Sequence, residues 1–455
     1  MTLETPIRPT THAADTAAPS ATATRSIPTT ADVPPGAHVR GLRCRACGRD
    51  ESLGPSFVCP SCFGPLEVAY DYAVARSVLT REAIAARAPG IWRYLELLPV
   101  ARPPERGLAV GSTALVPAAR LARELDLGTG TTLHLKDDTR NPTLSFKDRV
   151  VAVATARAVE FGFDTLACAS TGNLAGATAA AAAAAGLRAF VFVPADLEPA
   201  KVEHALSYGA TVIRVDGTYD DINRLSLEIA DEEGWAFVNV NLRPFYAEGS
   251  KTIAFEIAEQ LGWRLPDVVV GPIASGSMFT KIAKGFDELV EIGLVDRKDV
   301  RFVGGQPEGC GPVATAFAEG GDEIRPVRAP DTIVRSLAIG SPADGGYALD
   351  LARRTGGSIE SIPDAATAGA IRRTAASEGI FVETAGGVTV GAVEAARRRG
   401  IIHDGDEVVA ILSGNGVKTP DARRFQPDGA SAAEVDGAGP PIPATYAAFA
   451  ARGLA

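Results

Sequence analysis

The sequence predicts an α/β fold in which parallel sheets are covered by helices on both faces. Short apolar runs recur along most of the chain, and segments with helical spacing separate them. Strands that alternate with helices in this way pair in parallel and bury both of their faces. In such folds, ligands bind where the carboxyl ends of strands lead into helices. The predicted strands are residues 131–137, 166–169, 190–193, 211–215, 236–239, 268–271, 302–304 and 408–412.

The composition is that of an ordinary soluble chain with two or three domains. Its 455 residues are 46% hydrophobic and 22% charged, and the net charge of −10 disfavours nucleic acid or an anionic membrane as a partner. We expect no membrane span and no secretory signal, because the longest run of low polarity is short and the N-terminus lacks the pattern. Six cysteines are too few for a disulfide scaffold, so a reducing cytoplasm fits best.

Three segments are expected to lie outside the sheets. Residues 1–36, rich in Thr, Ala and Pro, are predicted to be a disordered tail. A transit peptide is the alternative, but the acidic residues of this segment count against it. Residues 73–111 are predicted to form a helical linker region, and residues 427–455 a flexible tail.

Two Cys-x-x-Cys pairs predict a small metal-binding module within residues 37–72. Four thiolates at this spacing suit a tetrahedral zinc ion, and the segment has little else with which to form a core. No open coordination position is implied, so the site is interpreted as structural. A ribbon without metal, or one with an oxidised pair, is the alternative. The expected ligands are Cys44, Cys47, Cys59 and Cys62.

One lysine occupies a position that favours unusual chemistry. Lys147 lies in Asn-Pro-Thr-Leu-Ser-Phe-Lys-Asp-Arg, residues 141–149, between a predicted strand and a helical pattern at residues 150–161. It should therefore lie in the first turn of a helix, where the helix dipole disfavours an ammonium. An unprotonated, nucleophilic lysine is what Schiff-base chemistry needs. A solvated lysine in a first turn is the alternative.

Three more loops follow predicted strands, and the first two have the character of anion sites. Residues 170–173, Ser-Thr-Gly-Asn, open a helix with hydroxyls and N–H groups, although a plain helix N-cap is the alternative. Residues 272–277, Pro-Ile-Ala-Ser-Gly-Ser, are small enough for a phosphate to approach the backbone, with a structural turn as the alternative. Residues 413–418, Ser-Gly-Asn-Gly-Val-Lys, follow the last strand, where a plain glycine-rich turn is the alternative.

The segment at residues 141–149 resembles the pyridoxal-phosphate lysine segment of threonine synthases, which are fold type II, tryptophan-synthase-β-like enzymes. Cysteine synthases and hydroxy-amino-acid dehydratases carry looser relatives of it. The loops at 170–173 and 413–418 resemble family segments in the same order, and many threonine synthases carry an N-terminal cysteine ribbon. The loop at 272–277 departs from the family, because many relatives have more Gly and Asn there.

The resemblance implies two doubly wound open-sheet domains after a zinc-ribbon-like module. The first, residues 112–255, would carry the Schiff-base lysine, and the second, residues 256–426, the cofactor phosphate loop. Family members are commonly dimers, so the resemblance also implies a homodimer.

Residue roles follow from the same resemblance. Lys147 would be catalytic and bind pyridoxal 5′-phosphate, while Asn173 and Ser413 would contact the ring oxygen and the ring nitrogen. Residues 383–387 would close the ring side of the pocket. The cofactor phosphate would lie on Ala274, Ser275, Gly276 and Ser277. The expected substrate contacts are Ser170, Thr171, Gly172, Arg149, Arg243 and Lys251, since basic groups such as the last two suit a phosphate.

The implied reaction converts O-phospho-L-homoserine and water into L-threonine and phosphate, with Lys147 moving the protons. Two alternatives stay within the fold, a threonine/serine dehydratase and a cysteate synthase. A third is a zinc-ribbon interaction protein with a degenerate pyridoxal-type domain. That protein would be colourless, whereas the enzyme would be yellow.

Overall fold

The computed structural model describes residues 34–170, 172–195, 197, 199–217, 219–425 and 444–445. The tails predicted at residues 1–36 and 427–455 fall almost entirely outside these ranges. Across the described residues, no helix combines the length and the apolar character that a bilayer span requires.

The strands and helices alternate over most of the described chain. The strands are β1 (Val39–Cys44), β2 (Asp50–Glu51), β3 (Leu66–Tyr70), β4 (Leu115–Pro117), β5 (Thr132–Asp137), β6 (Thr165–Ala169), β7 (Arg188–Pro194), β8 (Thr211–Val215), β9 (Ala236–Phe237), β10 (Val268–Pro272), β11 (Arg301–Pro307), β12 (Ser358–Ile362) and β13 (Glu407–Leu412). The α-helices are α1 (Tyr72–Val78), α2 (Arg81–Ala86), α3 (Ala119–Glu124), α4 (Lys147–Glu160), α5 (Asn173–Ala185), α6 (Pro199–Leu206), α7 (Tyr219–Glu233), α8 (Arg243–Glu248), α9 (Lys251–Gln260), α10 (Ser277–Glu291), α11 (Pro312–Glu319), α12 (Gly345–Arg354), α13 (Asp364–Glu378) and α14 (Thr384–Arg398). Short 3₁₀ turns occupy Ile91–Leu97, Asp138–Arg140, Glu308–Cys310, Arg335–Leu337, Gly416–Lys418 and Pro420–Arg424.

Three sheets organise these strands. A small antiparallel sheet has the order β2-β1-β3 and carries the first two cysteines in and just after β1. A four-stranded parallel sheet has the order β8-β7-β6-β9. A six-stranded sheet has the order β12-β11-β10-β13-β5-β4 and is parallel except for its edge strand β4. The two larger sheets confirm the predicted α/β class.

The division of the chain differs from the one predicted at residues 112 and 256. Strand β5 pairs with β13 over its whole length, from Thr132 opposite Glu407 to Asp137 opposite Leu412. The segment that precedes Lys147 therefore lies in the sheet of the C-terminal half, whereas helix α4 packs against α5 and α8. The chain passes from one sheet to the other at the lysine turn, so Lys147 lies where the two halves meet.

Every predicted strand is present, whereas β4 and β12 were not predicted and β11 extends beyond residues 302–304. The strand predicted at residues 236–239 ends at Phe237 because the Asn239 side chain takes over its pairing. The Asn239 amide accepts from the Ala169 N–H at 3.3 Å and donates to the Ala169 carbonyl at 3.2 Å. A side-chain amide thus extends the ladder by one residue where the backbone turns away.

Helix α4, which begins at Lys147, is held by close packing. Gly249 lies so near its first turn that a Cβ atom there would come within 2.4 Å of the Arg149 carbonyl oxygen. On the other side, α5 is buried from Asn173 to Ala182, and its alanines let it approach α4 and the four-stranded sheet closely. Small residues on both sides therefore fix the position of the lysine helix.

Candidate active site

One cavity of about 360 Å³ brings most of the sequence-predicted site residues together, and much of its wall is formed by four loops that follow strands of the two large sheets. Each loop follows the carboxyl end of a strand, namely β5, β6, β10 or β13. The predicted residues among the described part of its wall are Lys147, Ser170, Gly172, Asn173, Ala274, Ser275, Gly276, Ser277, Arg243 and Ser413. Parallel strands thus bring together residues that are far apart in sequence.

The lysine turn is pinned to the loop after β13. Leu144 adopts a positive φ of 62°, and its carbonyl accepts from the Asn415 N–H at 3.0 Å. The Phe146 N–H donates to the Ser413 carbonyl at 2.9 Å. The buried Asp148 carboxylate accepts from the N–H of Thr143 at 2.7 Å and from its hydroxyl at 2.6 Å. These bonds fix the turn, and burial raises the pKa of Asp148 to about 6.

Lys147 presents its amine to the cavity between two aromatic rings. Its Nζ donates to the Tyr246 hydroxyl at 3.1 Å and lies 4.5 Å from the centre of the Phe146 ring. Burial lowers the pKa of Lys147 from 10.5 to about 8, while Tyr219 and Glu383 act in the opposite direction. Desolvation by the cavity walls therefore disfavours the ammonium, and the helix start acts in the same direction.

In the loop after β6, the serine side chain is hydrogen-bonded to nearby backbone N–H groups. The buried Ser170 hydroxyl accepts from the Gly172 N–H at 3.1 Å and from the Ala175 N–H at 3.0 Å. It therefore stabilises the start of α5, although the N-cap residue itself is Gly172, which has no side-chain cap. Gly172 and Asn173 line the cavity, and Thr171 lies outside the described residues.

Asn173, Glu383 and Ser413 form a polar cluster in the cavity wall. The Asn173 Nδ2 lies 2.9 Å and 2.8 Å from the two carboxylate oxygens of Glu383, and the Ser413 hydroxyl lies 3.5 Å from one of them. Gly414 permits this approach, since a Cβ atom there would lie 2.2 Å from the same carboxylate. Glu383 and Ala385 of the segment 383–387 line this side of the cavity, with Glu383 as the charged group.

The loop after β10 forms an N–H-rich start for a long helix. Gly276 precedes α10 with a φ of +94°, which glycine adopts without strain. A Cβ atom at Gly276 would lie 2.7 Å from the Asp344 carbonyl oxygen, and the Asp344 N–H donates to the Ser275 carbonyl at 2.8 Å. The positive end of the α10 dipole and the small side chains make this loop an anion cradle.

These residues fit a pyridoxal phosphate molecule. A lysine of lowered pKa, an anion cradle and a neutral serine line one cavity. Two buried polar atoms of the wall, Asn173 Oδ1 and Ser336 Oγ, have no hydrogen-bond partner within the described part of the chain. Buried groups of this kind are costly unless a ligand or water pairs with them. The ring hydroxyl of the cofactor would supply a donor for Asn173.

Arg149 does not reach the cavity, in contrast to the substrate contact expected for it. Its guanidinium is fully buried and bonds Asp138 at 2.7 Å and 2.8 Å and Glu256 at 2.8 Å from two of its nitrogens. Its Nη2 also lies 2.9 Å from the Thr113 hydroxyl and its Nη1 lies 3.0 Å from the Thr252 hydroxyl, so all five N–H groups have acceptors in this buried network. Arg149 thus ties the lysine helix to α9 and to the end of β5, and has no donor left for a substrate.

Lys251 also lies away from the cavity. It is fully buried, and its ammonium pairs with Glu248 at 2.6 Å and with Glu288 at 2.7 Å. Lys251 therefore has a structural role, in which it forms buried ion pairs with these carboxylates. Arg243, by contrast, lines the cavity, and its guanidinium donates to Asp344 at 2.7 Å.

Several wall residues carry no sequence signal of their own. Phe57 comes from the loop between β2 and β3 in the N-terminal module, and Tyr219 and Ser336 come from segments without a recognisable motif. Tyr246 is not among the site residues predicted from the sequence, yet it is the hydrogen-bond partner of Lys147. These residues reach the cavity through tertiary packing.

The predicted cysteine ligands form a cluster in the N-terminal module. The four Sγ atoms of Cys44, Cys47, Cys59 and Cys62 all lie within 4.8 Å of one another. The Cys44–Cys62 and Cys47–Cys59 separations are 3.5 Å and 3.8 Å, so neither pair is a disulfide. A tetrahedral zinc with Zn–S bonds of about 2.3 Å holds its sulfurs about 3.8 Å apart. The donor set and its spacing fit such an ion.

Comparison with known proteins places the chain in a family. A family model described as pyridoxal-phosphate dependent enzyme matches residues 107–414. The threonine synthase of Methanocaldococcus jannaschii is 36% identical over 382 residues, which is 84% of this chain and 93% of that protein. The threonine synthase of Methanosarcina acetivorans is 36% identical over 384 residues, covering 83% of this chain and 92% of that protein.

A solved structure shares the fold at lower identity. The processed form of threonine deaminase isoform 2 from Solanum lycopersicum aligns with a TM-score of 0.57 and 20% identity, covering 72% of this chain and 84% of that one. With the family match over both large sheets and the long alignments to threonine synthases, the chain belongs to the pyridoxal-phosphate-dependent enzymes of fold type II, within the threonine synthase family.

Proposed function

We propose that this chain is a threonine synthase, a carbon–oxygen lyase that converts O-phospho-L-homoserine and water into L-threonine and phosphate. The observation that carries the proposal is the alignment with two threonine synthases over more than nine-tenths of their length. The cavity supports it, because Lys147 and three loops of matching order line one space of about 360 Å³.

Four parts of the wall would hold pyridoxal 5′-phosphate. The Lys147 amine would bind the aldehyde carbon, and Asn173 would face the ring hydroxyl. Ser413 would face the pyridine nitrogen, and the N–H groups of Ala274, Ser275, Gly276 and Ser277 would bind the phosphate. When bound, the cofactor delocalises the electron pair left by removal of a proton from the α carbon of an amino acid.

Lys147 is the residue best suited to move protons at the α carbon. It is the one lysine among the described residues of the cavity wall. With a pKa near 8, its amine accepts and returns protons close to neutral pH. Burial raises the pKa of the Tyr246 phenol, so this hydroxyl stays neutral and both accepts from and donates to the amine as the proton moves.

The substrate would be held at its two anionic ends. Ser170, Thr171 and Gly172 form the loop assigned to the carboxylate, with the start of α5 behind it. Arg243 is the guanidinium on the cavity wall and would pair with the substrate phosphate. The walls around Lys147 exclude bulk water from the α carbon, while one water molecule must reach the β carbon.

Two further assignments concern the whole protein. We propose that Cys44, Cys47, Cys59 and Cys62 hold one structural zinc, supported by their mutual spacing and by the absence of an open ligand position in a four-thiolate set. We also propose a cytoplasmic homodimer. The four free thiols suit a reducing compartment, the dimer rests on the family resemblance, and light scattering of the purified protein tests it.

The reaction is tested by assaying phosphate release and threonine formation from O-phosphohomoserine. The wild type should form both products in equal amounts, and Lys147→Ala should lose at least about 10³-fold in rate. Lys298→Ala, which removes an exposed lysine paired with Asp267, is the matched control and should retain full activity. Ammonia release from serine or threonine, or cysteate formation from phosphoserine and sulfite, in place of threonine would overturn the assignment.

A further inference from the structure

One arginine of the N-terminal cysteine ribbon contacts an aspartate beside the loop assigned to the cofactor phosphate. Arg45 lies between Cys44 and Cys47 in the sequence and points into the C-terminal half. Its guanidinium is 3.5 Å from the carboxylate of Asp344 and 3.5 Å from the centre of the Tyr347 ring. The Asp344 side chain is only 8% exposed, so this ion pair is largely shielded from solvent.

Asp344 in turn holds the phosphate loop. Its N–H donates to the Ser275 carbonyl at 2.8 Å, and its own carbonyl packs against Gly276 where a side chain would not fit. The second carboxylate oxygen of Asp344 accepts from Arg243 at 2.7 Å. A displacement of Asp344 would therefore disturb the loop assigned to the cofactor phosphate and the arginine beside it.

A second contact joins the ribbon to the helix behind the same loop. Glu67 of β3 pairs with Lys281 of α10, one turn beyond Ser277, and Lys281 also pairs with the buried Glu248 at 2.7 Å. The Lys284 ammonium donates to the Val68 carbonyl at 3.4 Å. The ribbon thus contacts the first turns of α10 directly and the phosphate loop through Asp344.

We propose that the ribbon is part of the cofactor site, with Arg45 as a positioning residue that fixes the phosphate loop through Asp344. The inference goes beyond the proposed function, because it concerns retention of the cofactor and holds for whichever amino acid is the substrate. A loop held in its binding conformation loses less freedom when the phosphate arrives, so it binds more tightly. The ribbon acts on the phosphate end of the cofactor and leaves the lysine end unchanged.

The test compares Arg45→Ala with Arg43→Ala. Arg43 lies in β1, two residues before Arg45, but it pairs with Asp50, and the side chains of Arg43 and Asp50 are more than half exposed. Dissociation constants are measured by absorbance for pyridoxal phosphate and for pyridoxal, which lacks the phosphate. We expect Arg45→Ala to weaken pyridoxal phosphate binding about three- to tenfold, with pyridoxal unchanged, and Arg43→Ala to leave both unchanged.

A double-mutant cycle with Asp344→Asn tests whether Arg45 acts through Asp344. If Arg45 acts through Asp344, the Arg45→Ala penalty should shrink or vanish in the Asp344→Asn background. Equal losses of pyridoxal phosphate and pyridoxal affinity in Arg45→Ala, wild-type affinity in that variant, or an undiminished penalty in the double variant would each overturn the proposal. These binding measurements contain no amino-acid substrate. A result that overturns the role of Arg45 is therefore distinguishable from one that overturns the threonine synthase assignment.

Discussion

Asn173 and Glu383 join two loops of the cavity wall, with the amide nitrogen 2.9 Å and 2.8 Å from the two carboxylate oxygens. This contact places a carboxylate on the wall of the cavity that contains Lys147, where it opposes the desolvation that lowers the lysine's pKa. The proton affinity of Lys147 is therefore set by two opposed effects, burial and a nearby charge. Two of the predictions below separate them.

The first prediction concerns the pH dependence of cofactor capture by the cofactor-free protein. Only the neutral amine attacks an aldehyde, and the pKa of Lys147 is lowered from 10.5 to about 8. The rate should therefore rise with pH, reach half its plateau near pH 8, and be about tenfold below the plateau at pH 7. Stopped-flow absorbance measures it, with N-acetyl-lysine as the reference amine. A rate still climbing tenfold per pH unit above pH 9 would show an unperturbed lysine.

The second prediction isolates the charge of Glu383. Replacing it by glutamine keeps the shape but removes the negative charge that favours the Lys147 ammonium. The midpoint of cofactor capture should then move to lower pH than in the wild type. Glu394→Gln, within the helix α14 that Glu383 precedes but paired with Arg373 near the surface, should leave the midpoint in place. A shift to higher pH in Glu383→Gln contradicts the electrostatic role given to this carboxylate.

The third prediction concerns Arg149 and its buried network. Arg149→Met would leave Asp138 and Glu256 buried without their main cation, and breaking a buried pair in this way costs about 3–5 kcal/mol. The free energy of unfolding, measured by urea denaturation, should fall by that amount. Arg140→Ala, whose side chain is 74% exposed, should change it by less than about 1 kcal/mol.

The same variants distinguish a structural from a substrate-binding arginine. If Arg149→Met remains folded at low temperature, its KM for O-phosphohomoserine should stay within about twofold of the wild-type value. A large rise in KM without loss of stability would instead show that Arg149 binds the substrate.

The fourth prediction assigns the substrate phosphate to Arg243. Arg243→Ala should raise the KM for O-phosphohomoserine at least about tenfold, since charge-assisted bonds to phosphate are among the stronger hydrogen bonds. Competitive inhibition by inorganic phosphate should weaken in parallel. Arg188→Ala, which removes an exposed arginine paired with Asp164, is the control. An unchanged KM together with unchanged phosphate inhibition would place the phosphate elsewhere in the cavity.

The fifth prediction concerns the metal. Elemental analysis of the purified chain should give about one zinc per chain. Cys44→Ser should lower the zinc content and the Tm, because the ribbon has little core of its own. Cys310→Ser replaces a buried thiol outside the cluster and should leave the zinc content unchanged. A wild-type protein that contains no zinc but has an intact ribbon would contradict the assignment of a structural zinc to the four cysteines.

Much of the fold and part of the site could be predicted from local sequence. Buried strands are continuous apolar runs, and Lys147, Asn173 and Ser413 lie in loops whose residues must fit together locally, so each segment carries its own signal. Arg149 and Lys251 illustrate the limit. Both are basic residues beside recognisable motifs, and only the carboxylates of Asp138, Glu256, Glu248 and Glu288, brought in by tertiary packing, show that they are buried ion pairs.

Other features could not be predicted because they depend on contacts between residues that are far apart in the sequence. Asp344 follows no motif, yet it contacts Ser275, Arg243 and the ribbon's Arg45. The domain boundary was misplaced for a related reason. Strand β5 looks like the first strand of the lysine domain in sequence order, but its partner is β13, whose residues lie about 270 positions later in the chain.

The central claim is that the Lys147 amine binds the aldehyde of pyridoxal phosphate. Borohydride reduction of the holoprotein, followed by peptide mass spectrometry, tests it most directly. We expect a pyridoxyl phosphate group on Lys147, at about one per chain, and its absence from Lys147→Ala. A stable label on a different lysine, or an active holoprotein with no label on Lys147, would contradict it.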